Sequence, residues 1–485
     1  MGIAETRISQ LQDRVAGLSV PASAWNAKNR AAAAERLQSV GLPAPRDEYW
    51  RFTDPKSFNA IDAPRAALFD PKESDVFDAV DRLEIVFVDG VFDAASSDDL
   101  SGANMTIERL SSAEALDSHW AADCYGALEA IGQNPVHRPF AALNTAYATD
   151  GVLMHITGKV EKPVNITYRH ANETSDTILH HVIKLEKGAE LTLLENGPAA
   201  ARFNKSCEVF VADRAAFHHV RAQGRDHERR AVTHIFADLG TESVFKSFTL
   251  TANGALTRNE CVLRLNGDDA TAHVAGASVG DGDFHHDDTV FITHDAVGCE
   301  SRQVFKKVLR NGATGVFQGK ILVKPDAQKT DGYQISQSLL LDDDSQFLAK
   351  PELEIYADDV ACSHGSTSGA IDEEALFYLC SRGIPKGQAT DLLTLAFLAE
   401  AVDEIADKHI PGFGEVFRTI SLKTVGTSSI QSRACAVLSN GKYIFALPGS
   451  SGGVTDAWEG ILKHQLDINH KPCNFVELFP RLKEK

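Results

Sequence analysis

The sequence predicts a mainly β protein whose long central strand region is flanked by helices on both sides. Between about residues 151 and 360, short strand-like runs follow one another, and no long amphipathic helix pattern interrupts them. Small-residue turns separate these runs, and the dipeptide Gly-Ala recurs at 188–189, 254–255 and 312–313. Before residue 150 and after residue 370, apolar residues return to helical spacing.

The length of the strand region favours a stacked architecture. Sandwiches and barrels usually stop sooner, whereas a β-helix adds rungs, each of which buries its inner face against its neighbour. A pair of β-sandwiches is the alternative that the strand pattern leaves open. With 485 residues, the chain is long enough for two or three domains.

The N-terminal region, residues 1–150, is predicted to be mostly helical. One apolar stripe recurs at helical spacing, and it consists of Ile8, Leu11, Val15 and Leu18. A second helix is expected over 24–40, ending before Gly41. The stretch "LEIVFVDGVF" at 83–92 is typical of a strand, a turn and a second strand, and helical spacing returns over 127–149.

Two helices are predicted after the strand region. Asp372 can cap a helix over 373–382, and a longer helix then runs from Pro385 to about residue 408. The longer helix carries two apolar stripes, one of Leu392, Leu393, Ala396 and Phe397, the other of Leu398, Val402 and Ile405. A helix that is apolar on two sides usually packs against more than one neighbour. It either caps the strand stack or docks another protein.

Composition excludes several classes of function. The net charge of −19 argues against a nucleic-acid binder, which needs a basic face. The first residues lack the apolar core and flanking positive charge of a signal peptide, and no apolar run is long enough to cross a membrane. The eight cysteines are scattered without a CxxC pair. We therefore expect free thiols in a cytoplasmic protein that has no membrane or nucleic-acid partner.

The stretch "DDVACSHGS" at 358–366 holds the strongest candidate site residues, Cys362 and His364. Thiolate and imidazole are common protein ligands of iron, so this pair has the right chemistry for a metal or cluster. Two residues cannot complete a metal site, and further ligands would have to come from elsewhere in the chain or from another chain. The alternative is structural: Cys362 as a small buried apolar residue and His364 as a turn residue.

Other clusters are weaker candidates. His285, His286 and His294 lie near Asp287 and Asp288, but alternation along a strand places neighbours on opposite faces. The remaining candidates are expected to be structural, with Cys261, Cys299 and Cys380 in packed positions and Asp342, Asp343 and Asp344 in a solvated turn.

Several motifs make the sequence resemble the SufB/SufD family of iron–sulfur cluster assembly proteins. They are "GVFQGKI", "AQKTDGYQISQSLLL", "KPELEIYADDVACSHG" and "ALFYLCSRGI", within 315–384. The N-terminal "RDEYWRFTD" is similar to the SufD branch, and the cysteine-rich N-terminal segment expected of the SufB branch is not seen. The resemblance runs from about residue 5 to about residue 408.

The resemblance implies a fold, partners and a site. It implies a right-handed parallel β-helix at 151–370, flanked by a helical region at 1–150 and by a helical segment at 371–408 that docks an ATPase. It further implies a non-catalytic scaffold subunit that pairs with a SufB-like subunit and binds a SufC-like ATPase. His364 matches the family position for cluster assembly at the subunit interface, and Cys362 matches its neighbouring cysteine. A transient iron–sulfur cluster shared with SufB is expected, and no tightly bound cofactor.

The last residues, 409–485, resemble a different family, the MoaB/MogA proteins of molybdenum cofactor biosynthesis. The matching motifs are "PGFGEVFR", "GTSSIQSRA", "IFALPGS" and "HKPCNF". Less than half of such a domain is present, and the family's glycine-rich pterin-binding loop is not found. The remaining turn of Pro448, Gly449 and Ser450 is a weak candidate anion site. A half-domain of this kind cannot close its own sheet, so we expect a poorly packed partial α/β appendage.

Two alternative functions remain to be compared with a cluster-assembly scaffold. One is a molybdopterin-binding or adenylyltransferase-related activity carried by the tail. The other is a β-helix enzyme acting on polysaccharide, which would require secretion and a cleft of paired carboxylates. No phosphate loop of the GxxxxGK[ST] type occurs, so any ATP hydrolysis must come from a partner.

Overall fold

In the computed structural model, two sheets wind together into one long solenoid with helices at both ends. The structure describes residues 3–68, 76–78, 80–197, 199–224, 228–403, 408–426, 429, 432, 434–439, 442–447, 451–467, 469–472 and 474–478. In the part of the chain that the structure describes, no helix is long and apolar enough to span a bilayer.

The N-terminal region combines short helices with four strands. Its helices are α1 (Ile3–Val15), α2 (Ala27–Val40), α3 (Lys56–Asn59), α4 (Leu110–Ala113), α5 (Ala127–Ile131) and α6 (Pro139–Tyr147), with 3₁₀ turns at Glu48–Trp50 and Trp120–Asp123. Its strands are β1 (Leu83–Val88), β2 (Val91–Phe92), β3 (Ser101–Gly102) and β4 (Met105–Arg109). The predicted helices before Gly41 and the predicted strand–turn–strand at 83–92 are therefore present. Because β1 and β4 join the two large sheets, the sheet structure begins well before residue 151.

Sixteen strands form the central solenoid, and they alternate between the two sheets in chain order. They are β5 (Val152–Ile156), β6 (Val164–Arg169), β7 (Asp176–Leu185), β8 (Glu190–Gly197), β9 (Arg202–Val211), β10 (Ala216–Gly224), β11 (Arg230–Leu239), β12 (Val244–Ala252), β13 (Leu256–Leu265), β14 (Thr271–Asp281), β15 (His285–His294), β16 (Glu300–Arg310), β17 (Thr314–Val323), β18 (Asp331–Leu340), β19 (Gln346–Ile355) and β20 (Ala361–Ala370). Every strand from β5 onward pairs in parallel with the strand two places along the chain. This pattern is that of a β-helix and confirms the stacked architecture over the sandwich pair.

The turns between strands explain two of the three recurring Gly-Ala dipeptides, 188–189 and 312–313. Gly188 and Gly312 adopt φ angles of 71° and 87°, in the left-handed region that side chains other than glycine rarely enter. The following residues, Ala189 and Ala313, are completely buried. Glycine therefore turns the chain at these corners, and alanine is small enough to pack beneath the turn.

The solenoid buries an apolar column along its axis. Alternate residues of the strands point inward and form one continuous cluster that runs from Ile85 and Val152 through Leu193 and Ile235 to Phe317. The N-terminal helices cover the outer face of the sheet that contains β13. There, the Arg258 guanidinium lies 4.2 Å from the centre of the Trp50 ring. Through Trp50, the motif "RDEYWRFTD" therefore packs the N-terminal region against the solenoid.

The C-terminal region contains the two predicted helices and a small separate unit. Helix α7 (Glu373–Ser381) is capped by Asp372, whose carboxylate accepts hydrogen bonds from the N–H groups of Glu374 and Ala375. Helix α8 (Lys386–Asp403) follows, and the predicted end near residue 408 was wrong because Lys408 already lies in a strand. The tail comprises β21 (Lys408–His409), α9 (Pro411–Val425), β22 (Cys435–Ser439), β23 (Lys442–Ala446), α10 (Ser451–Ala457), a π-helical turn at Trp458–Leu462, α11 (Lys463–Gln465) and α12 (Phe475–Leu478).

Candidate functional site

The last strand, β20, forms the edge of its sheet. It pairs in parallel with β18, with Cys362 opposite Gly332 and His364 opposite Gln334. Among the strands that the structure describes, β20 has no neighbour on its other side. A parallel strand directs successive backbone groups to alternate sides, and the Ala361 N–H already bonds the Thr330 carbonyl on the β18 side. The N–H and C=O groups of Cys362, His364 and the even-numbered residues after them therefore point out from the free edge.

Cys362 lies on the inner face of this edge strand. Its side chain packs at the margin of a small apolar cluster that includes Ile321 and Val323 of β17, across the interior. Partial burial raises the pKa of the Cys362 thiol above its ordinary value. The thiol is therefore neutral in the isolated chain, and it would act as a ligand only after a bound metal or a partner stabilised the thiolate.

His364 shares the inner face with Cys362, because the two residues are two positions apart on one strand. Unlike the inner residues of earlier rungs, His364 is exposed, because no rung covers it. Among the described residues, no group of three or more His, Cys, Asp and Glu side chains could hold a metal ion. Among the described residues, Cys362 and His364 thus offer two ligands at the open end of the solenoid, which is too few for a complete metal site.

An open depression of about 500 Å³ lies beside Cys362. Its lining includes Cys362 and Tyr333, with a bidentate ion pair in which Arg302 donates to both carboxylate oxygens of Asp331 at 2.9 Å. The depression is formed by the first residues of the last three strands of one sheet. It places a polar, charged rim next to the thiol.

Two buried glutamines, which the sequence analysis missed, line the interior next to His364. Gln334 lies opposite His364 in the register, and Gln303 lies opposite Gln334 one rung earlier. Both are completely buried, and neither amide has a hydrogen-bond partner among the described residues. Polar groups without partners are rare in protein interiors. The two side-chain amides therefore indicate that water or a ligand binds at this end of the solenoid. A rung repeat of about thirty residues, applied to the sequence, would have aligned the three residues.

The histidine and aspartate cluster is divided between the two faces of β15, as alternation predicts. His285 and Asp287 point outward to the Thr53 hydroxyl, at 3.0 Å and 2.6 Å. His286 and Asp288 point inward, where Lys307 Nζ lies 3.0 Å from His286 Nδ1 and 2.6 Å from Asp288 Oδ2. The cluster is therefore two separate networks.

The other candidates have structural positions. Cys261 and Cys299 are buried, and Cys380 is partly buried in α7. Asp342 accepts hydrogen bonds from the N–H groups of Asn311, Asp344 and Ser345 and so holds a turn. These findings agree with the structural interpretation of all of them.

Helix α8 packs on the outer face of the solenoid through one of its stripes. Leu398 and Ala401 form a cluster with Ala277, Val308 and Leu339, and the ammonium of Lys306 lies 4.5 Å from the Phe397 ring centre. The side chains of Val402 and Ile405 are outside the described part. On α7, by contrast, the Phe377 side chain is 75% exposed. Helix α8 thus packs against the side of the solenoid with one face, and α7 leaves an aromatic residue in solvent.

The tail has its own small core. Phe413 and Phe417 of α9 pack with Ala436, Ile461 and Leu462 against the antiparallel sheet β21–β22–β23. Several large apolar side chains of the same unit remain exposed, among them Val416, Leu422 and Trp458. The candidate anion-binding residues Pro448, Gly449 and Ser450 lie outside the described residues.

Comparison with protein-family models divides the chain in the same way. The model for the SufBD protein N-terminal region matches residues 12–166. The model for the SufBD core domain of SUF-system FeS cluster assembly matches residues 168–397. The model for a probable molybdopterin binding domain matches residues 397–467.

Curated relatives give the same division. The iron–sulfur cluster assembly protein SufD of Escherichia coli is 29% identical over 392 residues, which cover 78% of this chain and 88% of that protein. An iron–sulfur cluster assembly SufBD family protein of Synechocystis is 26% identical over 425 residues, which cover 82% of this chain and 90% of that protein. The molybdenum cofactor biosynthesis protein B of E. coli is 47% identical over 85 residues, which cover 18% of this chain and 48% of that protein.

The resemblances predicted from the motifs are thereby confirmed. The two SufBD models together match residues 12–397 almost without a gap, and these residues form the solenoid and its helical flanks. The matched part of the tail represents about half of its molybdenum cofactor relative. The chain belongs to the SufBD family of iron–sulfur cluster assembly proteins and carries a C-terminal segment related to molybdopterin-binding domains.

Proposed function

We propose that this chain is a non-catalytic scaffold subunit of an iron–sulfur cluster assembly complex and pairs with a SufB-like subunit through the open end of its solenoid. The observation that carries the proposal is the bare edge of β20, which presents outward backbone groups beside Cys362 and His364. An extended edge of this kind accepts a strand from a partner, because main-chain hydrogen bonds supply affinity. A second β-helix that presents its own edge would continue the sheet.

Such pairing would turn the open end into a closed site. His364 and Cys362 would supply imidazole and thiolate from this chain, and the partner would supply the remaining ligands of the nascent cluster, which is cargo and not a resident cofactor. A site divided between two chains can release its cluster when the interface moves. The unsatisfied amides of Gln303 and Gln334 would face the same space from inside.

The two candidate ligands differ in how easily each could bind a metal. His364 is exposed and needs no conformational change to reach a partner. Cys362 is partly buried with a raised thiol pKa, so its use as a ligand requires that iron binding displace the proton. We therefore assign the larger contribution to His364.

An ATPase of the SufC type is the second proposed partner. The exposed Phe377 of α7 and the part of α8 that does not pack on the solenoid form the surface we assign to it. ATP hydrolysis at this position would move the helical pair, which is anchored on the outer face of the sheet that ends in β20. The molybdopterin-domain-like tail has no part in this proposal.

The test is iron and sulfide retention in the complex, purified anaerobically after coexpression with SufB- and SufC-type partners. We expect His364→Ala to leave the complex intact in gel filtration and to lose most of its iron and acid-labile sulfide. Cys362→Ser should lose less. His155→Ala is the matched control, because His155 is a partly exposed strand histidine near the opposite end, paired with Glu186 at 2.8 Å. Wild-type loading in His364→Ala would refute the assigned role.

A further inference from the structure

The interior of the solenoid contains charged side chains among its apolar ones. In the middle rungs, the Glu195 carboxylate accepts hydrogen bonds from Lys205 Nζ at 2.5 Å and from the Tyr168 hydroxyl at 2.5 Å. His219 Nε2 lies 2.8 Å from the same carboxylate. All four side chains are almost completely buried. Since burying an unpaired ion costs several kcal/mol, each buried charge here needs a partner.

Two of the interior cations have one carboxylate each. Lys205 pairs with Glu195, and Lys307 pairs with Asp288 at 2.6 Å, one on each side of the middle of the solenoid. The histidines do not add charge, because burial holds the pKa of His286 well below its ordinary value and lowers the pKa of His219. These two pairs are therefore electrically balanced.

Within the described part of the chain, Arg221 has no carboxylate of its own, because its register neighbour on β8, Glu195, already pairs with Lys205. It lies two residues after His219 on the inner face of β10 and is 6% exposed. Its NH1 donates to the Thr233 hydroxyl at 2.9 Å, across the interior in the other sheet. Among the described residues, its Nε has no hydrogen-bond partner and no carboxylate forms an ion pair with it. An arginine side chain does not lose its proton in proteins, so a positive charge remains.

The neighbouring thiols do not supply the missing negative charge. Cys207 and Cys261 point into the same interior, and burial raises the pKa of each thiol to about 12. Both are neutral at physiological pH. A counter-ion for Arg221 must therefore come from outside this set of side chains.

A cavity lies where such a counter-ion would be needed. Its lining includes Arg221, Lys205, Glu195, Tyr168 and Gln223. It leaves about 20 Å³ for the centre of a water-sized particle, more than the roughly 10–15 Å³ that one water requires. That space has room for one small ion.

We propose that this cavity binds a small monovalent anion, of the size of chloride or hydrosulfide, held by the guanidinium of Arg221 and the ammonium of Lys205. The anion completes the charge balance of the interior, with Glu195 shared between Lys205 and His219. The site lies within the middle rungs, away from the open end, and it is independent of the proposed scaffold function. Its occupancy stabilises the solenoid, since the folded chain alone provides the site.

Bromide is the probe that tests the site directly. Crystals of the full chain grown in sodium bromide should show an anomalous peak within hydrogen-bond distance of the Arg221 guanidinium. In solution, the melting temperature should be higher in sodium chloride or bromide than in sodium gluconate at equal ionic strength, because gluconate is too large for the cavity. Arg221→Gln should remove that difference.

Arg30→Gln is the matched control. Arg30 is equally buried, but Glu114 pairs with it at 2.7 Å, so this variant should lose stability and keep the halide effect. If Arg221→Gln fails to fold, the bromide peak in the unsubstituted protein decides. Anaerobic addition of sodium sulfide then separates the two ions: loss of the bromide peak supports hydrosulfide as a ligand, and an unchanged peak supports halide.

Two results would overturn the proposal. One is the absence of a bromide peak in the cavity together with equal melting temperatures in halide and gluconate. The other is an Arg221→Gln variant that keeps the full difference in melting temperature between halide and gluconate, which would mean that the guanidinium does not hold the anion.

Discussion

The two ends of the solenoid are built differently. At the N-terminal end, each sheet finishes in short antiparallel strands. In one sheet β2 pairs with β1, and in the other β4 and β3 lie beyond β5. At both ends the last described strands have a neighbour on one side only, but β2 and β3 have two residues each, whereas β19 and β20 have ten. Exposure follows this difference. Eight of the ten residues of β7 are buried, whereas none of the ten in β20 is.

This difference indicates which end of the solenoid can pair with another chain. Proteins usually protect a sheet edge with charges, proline, a bulge or a covering segment, because a bare edge pairs with other chains. The strand β20 reads "ACSHGSTSGA" and contains no lysine, glutamate or proline. Its small polar side chains keep the edge hydrated without obstructing it. The N-terminal end presents only two-residue antiparallel edges, whereas the C-terminal end presents a ten-residue parallel edge that is suited to a partner.

The largest predicted effect concerns the closed part of the solenoid. The Glu208 carboxylate accepts hydrogen bonds from the N–H groups of Leu128 and Glu129 at 2.8 and 2.9 Å, and His180 Nε2 lies 2.8 Å from it. Glu208→Ala removes one side of a fully buried network, so the free energy of unfolding should fall by about 3–5 kcal/mol. Chemical denaturation measures it.

Glu352→Ala is the control from the open end. Glu352 of β19 accepts a hydrogen bond from the Tyr49 hydroxyl at 2.5 Å but is partly exposed, so its loss should cost less than about 1 kcal/mol. Equal losses for the two variants would mean that the two ends do not differ in stability as described.

The next effect concerns the edge itself. Ser366→Pro removes an N–H that points away from β18, so it should weaken pairing with a SufB-type subunit by about tenfold or more, the equivalent of one lost hydrogen bond of about 1.4 kcal/mol. Ser366→Ala removes the same hydroxyl, which bonds the Ser336 hydroxyl at 3.0 Å, but keeps the N–H. Calorimetric titration of both variants isolates the backbone contribution. Matching affinities would exclude edge pairing.

The smallest effect concerns the tail. The apolar core of the tail is separate from that of the solenoid, and stacked rungs depend mainly on their neighbours. Trimming the chain after Lys408 should therefore change the solenoid's free energy of unfolding by less than about 0.5 kcal/mol and should not weaken SufC binding. Tighter binding by the untrimmed chain would place the tail within the docking surface.

Much of the fold could be predicted from local patterns. The strand runs after residue 151, the cap at Asp372 and the division of His285 from His286 all followed from periodicity and turn chemistry. The strand pattern alone left the β-helix and the sandwich pair open, because alternation defines faces and does not define which strand pairs with which. The family resemblance implied the β-helix. Register between strands about thirty residues apart separates the two folds, and only the structure gives it.

The interior charges could not be predicted in the same way. Glu195, Lys205 and Arg221 are polar residues within strands, where polarity ordinarily indicates an outer face. Glu195 and Lys205 lie inside because they compensate each other across the solenoid, and this compensation depends on rung geometry. The amides of Gln303 and Gln334 were missed for the same reason. Cys362 and His364 were found by their motif, and the exposed edge explains why they suit an interface.

Amide hydrogen exchange in β20 tests the central claim most directly. The N–H groups of Cys362, His364, Ser366 and Ser368 point from the free edge, so they should exchange rapidly in the isolated chain. In complex with a SufB-type subunit, their exchange should slow markedly, while exchange in β7 stays unchanged. Unaltered exchange of these amides in a complex that has formed would contradict the account, because the partner would then bind elsewhere.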